Sequence, residues 1–202
     1  MTSTRTVTEL SAPVADVATG RLMFARGATH LTIHVDSAMD DLYRARFEGK
    51  VPDVHVDGGT VTVRYRASFR PPRGEITLSG RIPWTITGRL GMSDVLAELQ
   101  DLELRGFEVS GGASRIEARL PRPKDAISIR IGRGSSNVEL IRPTGVPIRV
   151  RVGAGASKLA VDDFALEAVG GKTDWRSPDY DQAQARYDID IGGGASKITI
   201  RT

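Results

Sequence analysis

The sequence contains no cysteine, which excludes disulfides, thiolate catalysis and zinc–thiolate sites and fits a reducing compartment. Aromatic residues are scarce, at 5% of the chain, and no nucleic-acid recognition motif is present, so a base-stacking surface is a poor fit. No apolar run approaches the ~18–20 residues needed to span a bilayer. The N-terminal stretch "MTSTRTVTELSAPVADV" lacks the apolar segment of a signal peptide. The expectation is a soluble, cytoplasmic chain, complete or cut from an anchor, that reaches the cell envelope only through a partner. Histidine is also rare, and none occurs after His55.

What is present is glycine, 22 of 202 residues, with 40% apolar and 26% charged residues. That balance belongs to a globular chain with many turns. The net charge of +3 is small but uneven. Residues 105–158 carry eleven Lys/Arg against four Asp/Glu, and residues 159–190 carry three against eight. Solvated strand faces account for this pattern. A basic face around Arg130, Arg149 and Arg151 for a polyanion is the sharper alternative.

The glycines are periodic. A small residue recurs as an anchor at Thr29, Val61, Ser93, Ser114, Ser136, Ser157 and Ser196. Two residues before each stands a glycine: Gly27, Gly59, Gly91, Gly112, Gly134, Gly155 and Gly194. Apolar residues recur seven and five positions before the anchor and two and four after it, as in Ile189, Ile191, Ile198 and Ile200 around Ser196. The unit reads as strand, tight corner, strand, with period-two alternation burying one face. Anchor spacings of 32, 32, 21, 22, 21 and 39 suggest a basic step of about 21 residues, one coil of a stacked array, with insertions in the longer steps. The segment "SDVLAELQDLEL" (93–104) has helix-forming residues, but the register of Val95, Ala97 and Leu99 favours a strand.

The catalytic motifs fail in turn. "GAGASKLAV" lacks the glycine–lysine pair of a phosphate loop and runs into a strand pattern. Ser157 is followed by Lys158 and Leu159 rather than by the glycine of a nucleophile elbow, and no histidine follows it. The serines Ser114, Ser136, Ser157 and Ser196 read instead as corner hydroxyls bonding the backbone. His30 and His34 share an outward strand face without a carboxylate constellation, a weak metal site. Asp188 and Asp190 lie on an outward face, and Asp162 and Asp163 diverge if extended. No metal, cofactor or catalytic residue is expected, and the chain reads as a non-enzyme.

Two insertions interrupt the rhythm. "GGKTDWRSPDYDQAQ" (170–184) reads as an inserted loop in which Trp175, Arg176, Asp179 and Tyr180 either recognise a partner or fold back as a cap. "MDDLYRARFEGKVP" (39–52) is a weaker candidate for recognition, and "FRPPRGE" (69–75) reads as an extended, turning arm.

The stretches "FEVSGGASRIEARLP", "IRIGRGSSNVELIRP", "VRVGAGASKLAV" and "IDIGGGASKITI" resemble the bacterial toastrack family of adhesin-like domains, related to the C-terminal domains of LiaF-type envelope-stress proteins. The resemblance covers roughly 20–202. It implies a single-stranded β-solenoid without a cofactor, and a part in assembly or signalling near the envelope. It brings no catalytic residues. Many members are joined to membrane helices, which this sequence lacks.

The expected fold is therefore one all-β domain over 1–202, a β-solenoid of roughly eight coils with residues 1–20 as an N-terminal arm or cap. A β-sandwich or barrel is the runner-up, and neighbouring parallel strands distinguish the solenoid from it. The expected function is a scaffold for a protein partner or for self-association, with a polysaccharide binder or carbohydrate-active protein as the alternative. Because the chain ends almost on its last strand, "KITIRT", a solenoid end there requires a cover, for which a second subunit is one solution.

Overall fold

A computed structural model describes residues 6–65 and 72–202. Their regular structure is almost entirely β. In chain order the strands are β1 (Val7–Pro13), β2 (Gly20–Phe24), β3 (Ala28–Asp36), β4 (Asp41–Glu48), β5 (Asp53–Asp57), β6 (Thr60–Arg64) and β7 (Arg73–Ser79). There follow β8 (Trp84–Gly88), β9 (Met92–Glu98), β10 (Leu104–Val109), β11 (Ala113–Arg119), β12 (Ala126–Ile131) and β13 (Ser136–Ile141). The chain continues with β14 (Ile148–Val152), β15 (Ala156–Val161), β16 (Phe164–Val169) and β17 (Thr173–Arg176). After a short 3-10 turn at Tyr180–Gln182 it ends with β18 (Arg186–Ile191) and β19 (Ala195–Arg201).

These strands form two mixed sheets, one of ten and one of nine strands, with apolar side chains filling the space between. Six times the chain runs along a strand of the nine-stranded sheet, turns at a glycine corner and returns along the ten-stranded sheet. The pairs are β2–β3, β8–β9, β10–β11, β12–β13, β14–β15 and β18–β19. A seventh pair is β6–β7, whose connection at 66–71 lies outside the described residues. Neighbouring pairs are parallel and in register. Val61, Leu22, Ile86, Phe107, Ile129, Ile189 and Val150 therefore form one apolar column. Ile76, Ile33, Ala97, Ala118, Leu140, Ile200 and Val161 form a facing one. Strands stack about 4.8 Å apart, so each column is a continuous seam of core. Residues 92–98 are β9, as the alternation of Val95 and Ala97 requires.

Three expectations are corrected. First, Gly59 is not a corner between sheets. Asp57 and Thr60 pair across a hairpin within the nine-stranded sheet, and both Gly58 and Gly59 have positive φ, at 48° and 81°. Asp-Gly-Gly is the chemistry of a two-residue hairpin turn, which sends the chain straight back instead of across. Secondly, order in the chain is not order in the stack. The sequence of pairs across the molecule is β6–β7, β2–β3, β8–β9, β10–β11, β12–β13, β18–β19, β14–β15. The final pair is thus interior, lying between β12–β13 and β14–β15, and "KITIRT" is no end. Thirdly, the two sheets are extended at their ends by antiparallel strands of the chain itself. β4 and β1 lie beyond β7, and β5 beyond β6. At the other end β16 lies beyond β15, and β17 beyond β14.

Segments read as an arm or as insertions therefore supply strands at the ends of the two sheets. Residues 39–52 contain β4, paired on both sides, and the N-terminal segment contains β1. Of "FRPPRGE", residues 69–71 lie outside the described residues and Arg73, Gly74 and Glu75 open β7.

Candidate functional site

Glycine corners run along one edge of the stack, backbone against backbone. A Cβ on Gly91 would lie 2.7 Å from the carbonyl oxygen of Gly112, and one on Gly132 2.4 Å from that of Gly111. Hydrogen bonds join neighbouring corners, as from Met92 N to Gly112 O at 3.0 Å and from Gly194 N to Ala154 O at 2.8 Å. The corner hydroxyl that bonds backbone is not an anchor serine but its neighbour: Ser135 Oγ donates to Gly132 O at 2.7 Å and accepts from Ala113 N at 3.1 Å. Of the anchors, Ser93 Oγ donates to Thr29 Oγ1 at 2.9 Å.

The residue after each of six anchors has left-handed backbone. His30, Asp94, Arg115, Asn137, Lys158 and Lys197 have φ between 51° and 54°. Side chains rarely adopt this conformation, and here it recurs because each bulge stacks on the next. All of them but Lys158 line a groove of about 820 Å3 across the ten-stranded sheet. Its floor is the registered row Thr32, Leu96, Glu117, Glu139 and Thr199. Asp94 pairs with Arg115, whose hydrogen bond holds the carboxyl below its usual range. Glu117 pairs with Arg119, and Glu139 with Arg201. His34 lies between Glu75 and Glu98, at 3.4 and 2.9 Å, while His30 is 3.9 Å from Asp94. Among the described residues no cluster of three or more His, Asp or Glu could hold a metal ion.

The candidate basic residues face outward on the nine-stranded sheet, where the acidic segment meets them. Glu108, Arg130, Asp190, Arg151 and Asp174 form one registered row of alternating sign across five strands. Arg151 bonds Asp190 at 2.8 Å, and Arg149 Nε bonds Asp174 at 2.9 Å. Arg130 approaches Glu108 at 3.8 Å. The Arg149 hydrogen bond lowers the Asp174 carboxyl below the ordinary range. Opposing charges of residues 105–158 and 159–190 thus meet within the molecule at Arg149–Asp174 and Arg151–Asp190. Asp162, at the turn after β15, pairs with the buried Arg142, while Asp163 is exposed.

The segment 170–184 is β17 and the 3-10 turn. Trp175 sits opposite Val150, half-buried, and stacks on Phe164 with ring centres 6.1 Å apart. Tyr180 is buried and donates its hydroxyl to Asp188. Burial, reinforced by that bond, raises its phenol. Arg186 and Arg176 lie over the Tyr180 ring, at 4.9 and 5.7 Å, and Arg176 bonds Asp181 at 2.9 Å. Asp179 is exposed at the start of the turn. The rings of Trp175, Phe164 and Tyr180 therefore belong to one end of the stack, where β16 and β17 leave their outer backbone edges open.

No family model matches the chain, and no curated protein matches it. In fold it is similar to a crystal structure from Clostridium sporogenes described as a "putative cell adhesion protein". The TM-score is 0.72 at 16% identity, and the match covers 98% of this chain and 99% of that one. No helix among the described residues is long and apolar enough to cross a membrane. The chain is all-β and shares the fold of that structure.

Proposed function

We propose that the chain is a non-catalytic β-solenoid of the toastrack type, and that it acts in adhesion or assembly by associating with a second copy of itself through the end formed by β16 and β17. The parallel, registered stacking of seven strand pairs supports the solenoid reading. The likeness in fold to a structure described as a cell adhesion protein supports the adhesive one.

The observation that carries the contact is the character of β16. Its sequence, Phe164–Val169, has one charge, Glu167, and no proline. Edge strands are ordinarily protected by charge, proline or a covering segment. Behind this edge, Phe164 and Trp175 are only half-buried, so a second copy would cover apolar surface as well as pair backbone.

Sedimentation velocity over a wide concentration range tests this, comparing wild type with the double variant Ala165→Lys, Ala168→Lys. Both alanines are exposed. The wild type should associate reversibly and the variant remain monomeric. A wild type that stays monomeric throughout, or a variant that associates equally, would sink the proposal. Adhesion also requires exposure at the cell surface, opposite to the cytoplasmic expectation. Labelling of intact cells against a fractionated cytoplasm separates the two. The polysaccharide alternative finds its support on a different surface.

A further inference from the structure

The corner edge carries charge of one sign. The corners at residues 25–29, 89–93, 110–114, 132–136, 153–157 and 192–196 contain three arginines, Arg26, Arg89 and Arg133, and no carboxylate. Just beyond the corners stand Lys158 and Lys197, and Lys172 lies beside Gly153. All six cations are exposed, and none makes an ion pair among the described residues. Asp94 and Glu108, which adjoin the corners in the chain, are engaged by Arg115 and Arg130. The opposite edge differs. There Arg81 pairs with Asp40, Lys124 and Arg105 with Glu103, and Arg142 with Asp162. Arg122 on that edge is likewise exposed and, among the described residues, without an ion pair, but it stands among these paired charges, whereas the glycine corners carry three unpaired arginines and no carboxylate.

We infer that this edge binds a linear acidic polysaccharide, a chain of sugar rings carrying carboxylate or sulfate groups, laid across the corners along the stacking direction. Close backbone packing leaves Arg26, Arg89 and Arg133 standing clear of a nearly side-chain-free ridge. Arg26 and Arg89 lie on adjacent pairs, and Arg89 and Arg133 are two pairs apart. The cation spacing is thus about 5 to 10 Å, one or two strand steps, a scale that matches one or two sugar rings. A groove of about 610 Å3 follows the same edge and presents the hydroxyls of Thr29, Ser93 and Ser114 beside Arg26. These groups suit a ligand rich in hydroxyls. Single-stranded nucleic acid is disfavoured because it relies on stacking platforms, and among the described residues the only aromatic ring lining this groove, Tyr65, is buried. The inference rests on the polysaccharide-binding alternative and not on pairing through β16.

Fluorescence anisotropy with labelled oligosaccharides tests it. Polygalacturonate supplies carboxylates, heparin oligomers supply sulfates, dextran is the neutral control and oligo-dT the nucleic-acid control. Each is titrated at about 0.05 and 0.2 M salt, a span over which multi-cation binding weakens steeply. At least one acidic glycan should bind, more tightly than dextran or oligo-dT, and the one preferred identifies the source of charge. The triple variant Arg26→Ser, Arg89→Ser, Arg133→Ser should lose at least about tenfold in affinity. Its log–log salt slope should fall by about two, at roughly 0.7 per lost contact. Arg105→Ser, on the opposite edge, should bind as wild type. Circular dichroism checks folding, and Arg133→Ser alone, with a slope reduced by about 0.7, serves if the triple variant is unfolded. Wild-type binding by the arginine variants, or tighter binding of oligo-dT, would overturn the inference. Equal binding of dextran would overturn it while leaving polysaccharide binding in place. Failure of every glycan to bind at the lower salt would remove both, whatever sedimentation shows about β16.

Discussion

Gly20 opens β2 against the face of Trp84, the largest fully buried side chain. A Cβ there would lie 2.4 Å from Trp84 Cδ2. The indole cannot swing away cheaply, because its Nε1 donates to Ser79 O at 2.8 Å. Gly20→Ala should therefore destabilise the protein by roughly 1–3 kcal/mol, the usual range for overpacking. Thermal unfolding followed by tryptophan fluorescence measures it, and an unchanged midpoint would show that the ring relaxes freely. The sequence marks neither partner for this role. Gly20 falls outside the corner pattern, and Trp84 stands two residues before Ile86, the first apolar position of its repeat. What a single residue does here depends on a neighbour from another strand pair.

At the scale of strands, the core registers were legible and the bulges were not. Alternation places Ile189, Ile191, Ile198 and Ile200 on the buried face directly, because a one-residue slip would expose all of them. His30, Arg115, Lys158 and Lys197 give no such signal, since left-handed backbone is usually announced by glycine, asparagine or aspartate. The hairpin at Gly58 and Gly59 was readable from Asp57-Gly-Gly, but the stronger apolar pattern on either side masked it. The candidate surfaces divided in the same way. Trp175 stood out as an aromatic in a polar insert, whereas the pairing of Arg149 and Arg151 with Asp174 and Asp190 depends on which strands become neighbours. That pairing has a pH signature. The Asp174 carboxyl is held below its usual range in the folded chain. The Arg149 pair therefore contributes stability above the unfolded carboxylate value of about 4 and loses it as pH falls through the lowered folded value. Asp174→Asn should narrow the difference in stability between neutral and acid pH. Urea unfolding at several pH values reads this, and parallel pH profiles for the two chains would exclude the pair as a contributor.

Across the whole molecule, every strand pair presents the same apolar columns, so the sequence does not say which pair lies beside which. Placing β18–β19 between β12–β13 and β14–β15 gives the last residues a structural weight that their position in the chain does not suggest. Removing 186–202 would open a slot through both sheets and strip parallel partners from β12, β13, β14 and β15. The shortened chain should lose cooperative unfolding, and a synthetic peptide of residues 186–202 should restore it. A truncated chain that melts like the full one would contradict this. The same placement bears on synthesis. A protein made from its N-terminus can settle most repeats as they emerge, but here a gap must be held open between β12–β13 and β14–β15 until residues 186–202 have been made. The stack closes out of chain order, and a chain cut short ahead of β18 carries its own exposed vacancy as a mark for degradation.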